Sequence, residues 1–303
     1  MKLKILSLQD KGIFNKFLGL NRHELSVYAF ENIYIWKGLF DIYWSVIADN
    51  LCIFFKDKIG CFLYTSPLSL TKNLQAIRKS FEIMDGFNKN RDISRIENIE
   101  ETDLPFYESL GYCIRSKSYD YLCKRADLVG LAGDNFKSKR ACCNYFTKHY
   151  EFRLLPFSPK YRNECLKLYN SWVKEREAKN QDRFYQGMLE DSRVSFKNAL
   201  DNYQGLNLAG RVVRIEKKIK AFTFGFKLNP DTFCILYEVA DLSFKGLAQF
   251  IFRRFCSELG GYKYINIMDD SGLDNLKQVK LSYHPVKLIP SYIVTRGNVP
   301  RPS

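Results

Sequence analysis

The stretch from Tyr237 to Pro285, YEVADLSFKGLAQFIFRRFCSELGGYKYINIMDDSGLDNLKQVKLSYHP, limits what this chain can become more than any other part. Apolar runs and short polar loops follow one another as strand, loop, helix, strand, loop, helix, and Pro285 closes the series. Thr232–Ala240 is β-branched and aromatic enough to be a buried strand. Asp241–Gly246 then turns the chain into a helix running to about Glu258, ended by Gly260–Gly261. Tyr262–Ile267 predicts the next strand and Leu273–Tyr283 the next helix. A strand that feeds a helix through a short loop leaves unpaired amides at its carboxyl end. Such a place can hold an anionic or carbonyl-bearing group, so the candidate site is sought there.

The rest of the chain reads as a repeat of the same architecture. Residues 1–20 suggest a strand or turn and a short helix, and Glu24–Trp44 a helix and then a loop around Asn32–Gly38. Leu51–Tyr64 is a hairpin around Lys56-Asp57-Lys58. Leu70–Gly86 has helical apolar spacing, Ile93–Ile99 reads as a strand, Thr102–Leu110 as a short helix and Tyr112–Leu122 as an alternating strand. After a basic helical connector, Pro159–Glu177 and Phe184–Tyr203 are amphipathic helices. Leu206–Ile215 and Ile219–Leu228 form a second hairpin around Glu216-Lys217-Lys218, and Val286–Thr295 is a last strand. The fold class expected is α/β (α+β), with two tandem units, each a mixed sheet flanked by helices. The expected division is 1–135, a connector at 136–156, and 157–303 carrying the site.

Charge narrows the partners. The net charge is +14, with 22 basic against 17 acidic residues in 1–150 and 25 against 16 in 151–303. Such an excess favours a polyanion: tRNA, an anionic lipid surface or a nucleotide cofactor. In the connector, Lys137, Lys139, Arg140 and Lys148 stand among aromatic residues and are candidates for tRNA or phosphate contact; a solvated helix face is the alternative. The nine cysteines are odd in number and include no Cys-x-x-Cys, which fits reduced thiols and a cytoplasmic protein. With three histidines and no ligand spacing, no metal site is expected. No apolar stretch approaches a membrane span, so any work on lipid would be peripheral. Oligomeric state leaves no mark in the sequence.

Particular residues resemble a known family. Tyr119-Asp120-Tyr121-Leu122, Asp127-Leu128, Leu131-Ala132-Gly133 and Lys139-Arg140 match its connector. Ala221-Phe222-Thr223 with Gly225, Glu238-x-Ala240-Asp241, Gly246, Tyr264-Ile265-Asn266 and Lys280-x-Ser282-Tyr283-x-Pro285 continue the match. The family is the tandem-GNAT group named after the C-terminal domain of phosphatidylglycerol lysyltransferase (multiple peptide resistance factor), and the resemblance covers about residues 90–295. It implies two GNAT-like halves and transfer of an acyl or aminoacyl group. In characterised relatives the donor is aminoacyl-tRNA and the acceptor a membrane phospholipid. Val239 stands where the family has lysine, Ile267 and Met268 where a basic–acidic pair is expected, and Ala141 where asparagine follows the arginine.

Acyl transfer needs a base for the nucleophile, donors for the oxyanion and an acid for the leaving group. Glu238, late in the central strand, is the candidate base; a structural carboxylate is the alternative. Tyr283 matches the tyrosine with which GNAT enzymes protonate a leaving group, and Lys280 lies one turn earlier on the same face. Gly246-Leu247-Ala248 resembles the tail of the GNAT pyrophosphate loop, with Ser243 at its head; Ser243, Gly246, Ala248, Asn266 and Asp269 are therefore candidate substrate or cofactor contacts. The expected activity is aminoacyl transfer from tRNA to a lipid or another amine or hydroxyl acceptor. An acyl-CoA-dependent N-acetyltransferase and a catalytically degenerate tRNA-, nucleotide- or partner-binding protein are the alternatives. No tightly bound cofactor is expected, because aminoacyl-tRNA or acyl-CoA would come and go as donor substrate.

Overall fold

The computed structural model describes residues 3–297. They form two compact units, one containing the chain up to Asp120 with Asp269–Leu273 and the residues from Leu288 on. The other is Tyr121–Met268 with Asp274–Lys287.

The first unit runs β1 (Lys4–Ile5), α1 (Lys11–Leu18), α2 (Phe30–Tyr34), β2 (Asp41–Ile47), β3 (Asn50–Lys56), β4 (Cys61–Leu63), α3 (Leu74–Phe87), β5 (Arg95–Glu100), α4 (Leu104–Ser109) and the first part of β6 (Tyr112–Lys124). The last strand of the chain, β12 (Lys287–Arg296), completes it between β5 and β6. α3 starts at Asn73, whose side chain accepts from the amides of Gln75 and Ala76. Its apolar face, Ala76, Ile77, Phe81 and Met84, packs on Phe54, Leu63 and Ile96 of the sheet. The hairpin expected at Leu51–Tyr64 is present, its turn held by Asp57 Oδ1, which accepts from Ile59 and Gly60. Glu24–Trp44 differs from expectation: the helix is only five residues, and Asp41 opens the strand β2. The β2–β3 turn is Ala48-Asp49, both at positive φ, and carries no Gly or Asn to announce it.

The second unit runs from the end of β6 through α5 (Arg125–Gly130), α6 (Lys137–His149), β7 (Arg153–Pro156), α7 (Arg162–Lys179), α8 (Arg183–Asp201), β8 (Ala209–Ile215), β9 (Lys218–Asn229), β10 (Thr232–Ala240), α9 (Leu247–Glu258), β11 (Tyr264–Asn266) and α10 (Asp274–Leu281). Its strands lie in the order β6, β11, β10, β9, β8, β7. The order β, α, α, three strands, α, β, α is that of a GNAT unit, as expected. Units divide inside β6 rather than at 135, α6 and β7 of the expected connector belong to the second unit, and β12 goes with the first. The β8–β9 turn is also tighter than expected, two residues (Glu216 and Lys217) both at positive φ.

α7 and α8 cover one face of this sheet: Tyr169, Val173 and Phe196 pack on Phe222, Phe224 and Val239. α9 covers the other, with Phe252 and Phe255 on Phe233, Ile235 and Ile265. Phe196 is fully buried, stacked on Tyr169 at 4.3 Å and on Phe222 at 4.9 Å. Phe196→Ala should therefore cost about 3–5 kcal/mol, read as a lower denaturant midpoint; a loss under about 1 kcal/mol would contradict this packing.

Candidate active site

β10 and β11 are parallel neighbours for three residues only, ending at Cys234 opposite Asn266. β10 continues to Ala240, so its last six residues outrun β11. Within this overhang the register against β9 slips between Ile235 and Tyr237, leaving Leu236 as an extra residue. A bulge of this kind reverses which side chains face which way. Phe233 and Ile235 pack under α9, whereas beyond the bulge Tyr237 and Val239 belong to the α7–α8 side. Glu238 is thereby turned to the face of α6, α9 and α10. Gly225, opposite Ile235, has no room for a Cβ, which would run into the Cys234 carbonyl and the Phe233 ring.

Glu238 is the unusual group there. Its Oε2 is buried without a hydrogen-bond partner. Burial pushes the carboxyl up to about 8, against the pull of the Lys280 and Lys139 ammoniums, which favour its charged form. Lys280 reaches from α10 and donates to the carbonyls of Ile267 and, at 3.3 Å, Met268, just past the end of β11. Lys139 comes from α6, donates to Ser282 Oγ at 2.6 Å and lies over the Tyr283 ring at 4.3 Å. Burial lowers the Lys139 pKa. Tyr283 packs on Phe252 at 4.6 Å, and burial, then the Glu238 carboxylate, raises its phenol well above the usual value. The structure thus gathers one carboxyl, two ammoniums and one phenol. No thiolate competes for the chemistry at Cys143 or Cys123, which burial pushes up to about 11 and about 12 respectively.

Other residues singled out in the sequence have different surroundings. Asn266 is buried, and its Oδ1 accepts from the Met268 amide at 2.7 Å, supporting a turn in which Met268 has φ of 60°. Asp269 falls in the first unit, where its Oδ1 accepts from Ser271. Ser243 donates to Asp241 Oδ1 at 2.6 Å within its own turn. Gly246 has φ of 87°, and a Cβ there would collide with the Cys142 carbonyl oxygen and lie 3.2 Å from Phe146 Cβ. α6 therefore lies directly on the start of α9, and Ala248 packs into the same apolar cluster. Arg140 spends its guanidinium on the carbonyls of Leu131 and Gly133 (3.0 Å for the latter), closing the loop after α5. Lys137 and Lys148 are exposed. Lys139, a phosphate candidate by sequence, stands instead at the carboxyl. Its i, i+1 position beside Arg140 gives no sign of that, because its charge acts on Glu238 across 99 residues of sequence.

Two of the clefts on this unit lie along α7 and between α6 and α9. The larger, about 340 Å³, runs along α7 past Glu164, Lys167, Trp172 and Glu175 to Lys220, Ala240 and Asp241. The smaller, about 260 Å³, lies between α6 and α9. Among the described residues no group of three His, Cys, Asp or Glu could hold a metal ion. No helix among them is long and apolar enough to cross a membrane.

A GNAT unit with a buried carboxyl between two lysines and a tyrosine is the framework of an acyltransferase-like protein. The family model for the C-terminal domain of phosphatidylglycerol lysyltransferase matches residues 20–295, and the chain belongs to that family. Among solved structures it is similar to a conserved protein of unknown function from Bacteroides thetaiotaomicron, at 27% identity and a TM-score of 0.86, covering 98% of this chain and 100% of the other. It also resembles L-PGS from Bacillus licheniformis, at 17% identity and TM-score 0.66 (99% and 95% covered). A third likeness is to the C-terminal domain of a protein described as a putative lysylphosphatidylglycerol synthetase from Agrobacterium fabrum, at 14% identity and TM-score 0.67 (96% and 93% covered). No curated protein matches the chain.

Two outcomes follow from the geometry. The folded protein holds a proton on Glu238 up to about pH 8, while the unfolded chain releases it near the ordinary 4.5. The stability this contributes is complete below 4.5 and is lost as pH rises through 8. Glu238→Gln stays neutral, so its melting temperature should rise relative to the parent between pH 5 and pH 9; a constant difference would contradict the burial of an unpaired carboxyl. Gly246→Ala should lose roughly 1–3 kcal/mol of stability, measured by denaturation without ligand, because the alanine meets α6. Unchanged stability would show that the approach of Cys142 is not tight.

Proposed function

We propose that the second unit moves an aminoacyl group from the ester of an aminoacyl-tRNA to a hydroxyl or amine acceptor, with Glu238 carrying the proton. The single observation behind this reading is the buried Glu238 carboxyl, pushed up to about 8 and flanked by Lys280 and Lys139. A general acid–base group works best when its pKa lies near the working pH. In the ionised form Glu238 takes the proton of the acceptor as its oxygen or nitrogen attacks the ester carbonyl. The ammoniums of Lys139 and Lys280 offset the charge that builds on the carbonyl oxygen. Collapse breaks the bond to the ribose oxygen, which leaves with the proton from Glu238 or from the Tyr283 phenol.

The choice of donor is supported by the packing at Gly246. A coenzyme A pyrophosphate would lie against the loop that opens α9, and at Gly246 that loop is packed against Cys142 and Phe146 of α6. An RNA ester makes no such demand, and the net charge of +14 suits a polyanionic donor. The family name supplies the first acceptor to try, phosphatidylglycerol, reached peripherally from the cytoplasmic side.

The second reading is binding without turnover. It is favoured by Val239 and Ile267, each buried in an apolar cluster where the family pattern carries polar groups. One experiment separates the two: incubation of the chain with radiolabelled aminoacyl-tRNA and phosphatidylglycerol vesicles, followed by lipid extraction. Labelled lipid is expected, its rate rising with pH to a midpoint near 8, and falling at least a hundredfold in Glu238→Gln. Label that stays on the tRNA with every vesicle and amine offered, in parent and variant alike, would leave the binding reading.

A further inference from the structure

The smaller cleft of the second unit has an electrostatic character that the Glu238 site does not explain. Its α9 wall is Phe250, Arg253, Arg254 and Ser257, its α6 wall Cys143, Asn144 and Thr147, and Val129 of α5 closes one end. No carboxylate lines it. Arg253 donates through Nε to the Val129 carbonyl at 2.8 Å, which fixes its guanidinium at that end. Arg254 is exposed and, among the described residues, pairs with no carboxylate. The nearest acid on α9, Glu258, is engaged by Arg211 at 2.5 Å. Thr147 and Ser257 donate their hydroxyl protons to helix carbonyls, of Cys143 and Asn144 and of Arg254 respectively, so the cations and Asn144 are left to set the chemistry of the cleft.

α6 extends this chemistry beyond the cleft. Lys137, Ala141, Asn144 and Lys148 follow one another at i, i+4, i+7 and i+11, which places them along one face of the helix. Lys137 and Lys148 are both exposed. They stand about 16 Å apart at 1.5 Å per residue, with Asn144 and the cleft between them. A lone phosphate ion would use the guanidiniums only. A strip of that length, cationic at both ends and in the middle, matches consecutive phosphates of one strand. Next to it, Tyr145 is partly exposed, stacks on His149 at 4.0 Å and carries the Lys245 ammonium 4.7 Å from its ring. Its ring is thus already engaged, and what it adds to the strip is the nearby Lys245 cation.

We infer that the groove between α6 and α9 is a phosphodiester track for the RNA donor, with Arg254 and Asn144 at its centre and Lys137 and Lys148 at its ends. This track rests on the donor being RNA, and adds where its backbone lies. It also accounts for Lys137 and Lys148, which have no part in the Glu238 cluster, and it gives Arg254 the role that Arg140 cannot fill.

The test is binding of uncharged tRNA to the full chain by fluorescence anisotropy across a salt series, so that no chemistry intervenes. Arg254→Ala should weaken binding about tenfold and reduce the slope of log K against log salt by roughly 0.7–0.9 for each phosphate no longer neutralised. Lys137→Ala/Lys148→Ala should lower the slope further. Lys174→Ala, an exposed lysine on α7, serves as the control and should leave both unchanged. Parent-like affinity and slope in the Arg254 and double-lysine variants would overturn the inference even if transfer from aminoacyl-tRNA proceeds. Displacement of tRNA by millimolar inorganic phosphate or adenosine monophosphate with equal dependence on Arg254 would also overturn it, in favour of a small-phosphate site. Glu238→Gln should bind tRNA like the parent, so loss of transfer with intact binding bears on the acid–base role alone.

Discussion

β10 outruns its parallel partner β11 by six residues, and most of what is unusual in the second unit answers to that overhang. Beyond Asn266 the chain turns away from β10: the Met268 carbonyl still accepts from the Tyr121 amide of β6 at 3.2 Å, and an ammonium from α10 donates to the Ile267 carbonyl and also to that of Met268. Backbone groups removed from a ladder need other partners. For the Ile267 carbonyl Lys280 supplies one, and it thereby brings a positive charge to the side of β10 where the bulge at Leu236 has aimed Glu238. A carboxyl placed there loses water, gains no hydrogen-bond donor on Oε2, and responds by holding its proton.

α6 answers the same constraint from the other side. It delivers Lys139 to Tyr283 and Ser282, and one turn later presses on Gly246 so closely that the glycine can carry no side chain. The loop between β10 and α9 thus has a packing reason for its glycine, independent of any phosphate. One helix does both: it brings a cation toward the carboxyl and packs against the glycine of that loop. The proposed donor and the proposed acid–base chemistry both turn on the placement of that helix.

Much of this is legible in the residues. The strands and helices from Pro159 onward fall close to their expected places, because helical spacing and charged turns there are unambiguous, as in Glu216-Lys217 between two apolar runs. Glu238, Lys280 and Tyr283 are identifiable from their motif. Three things are not. The β2–β3 turn uses Ala48 and Asp49 at positive φ, a conformation their side chains do not advertise. The bulge at Leu236 leaves the alternation of TFCILYEVA looking regular, which hides the face that Glu238 occupies. The division of the units inside β6, with β12 completing the first, depends on pairings made across most of the chain length, which local patterns do not encode. Lys139 joins Glu238 for the same reason, although its neighbours in sequence make it look like part of a surface patch. Conversely, Val239 and Ile267, absent cations in the motif, prove to be core residues of two separate clusters.

One proton decides whether Glu238 does the chemistry assigned to it. Carbon-13 NMR of the protein labelled at glutamate side-chain carboxyls, with the Glu238 resonance assigned by its loss in Glu238→Gln, follows that proton directly. The Glu238 midpoint is expected near 8, far above the ordinary glutamate value of 4.5. A midpoint near 4.5 would mean that water or a firm ion pair reaches the carboxyl, and the acid–base role argued for it would fall.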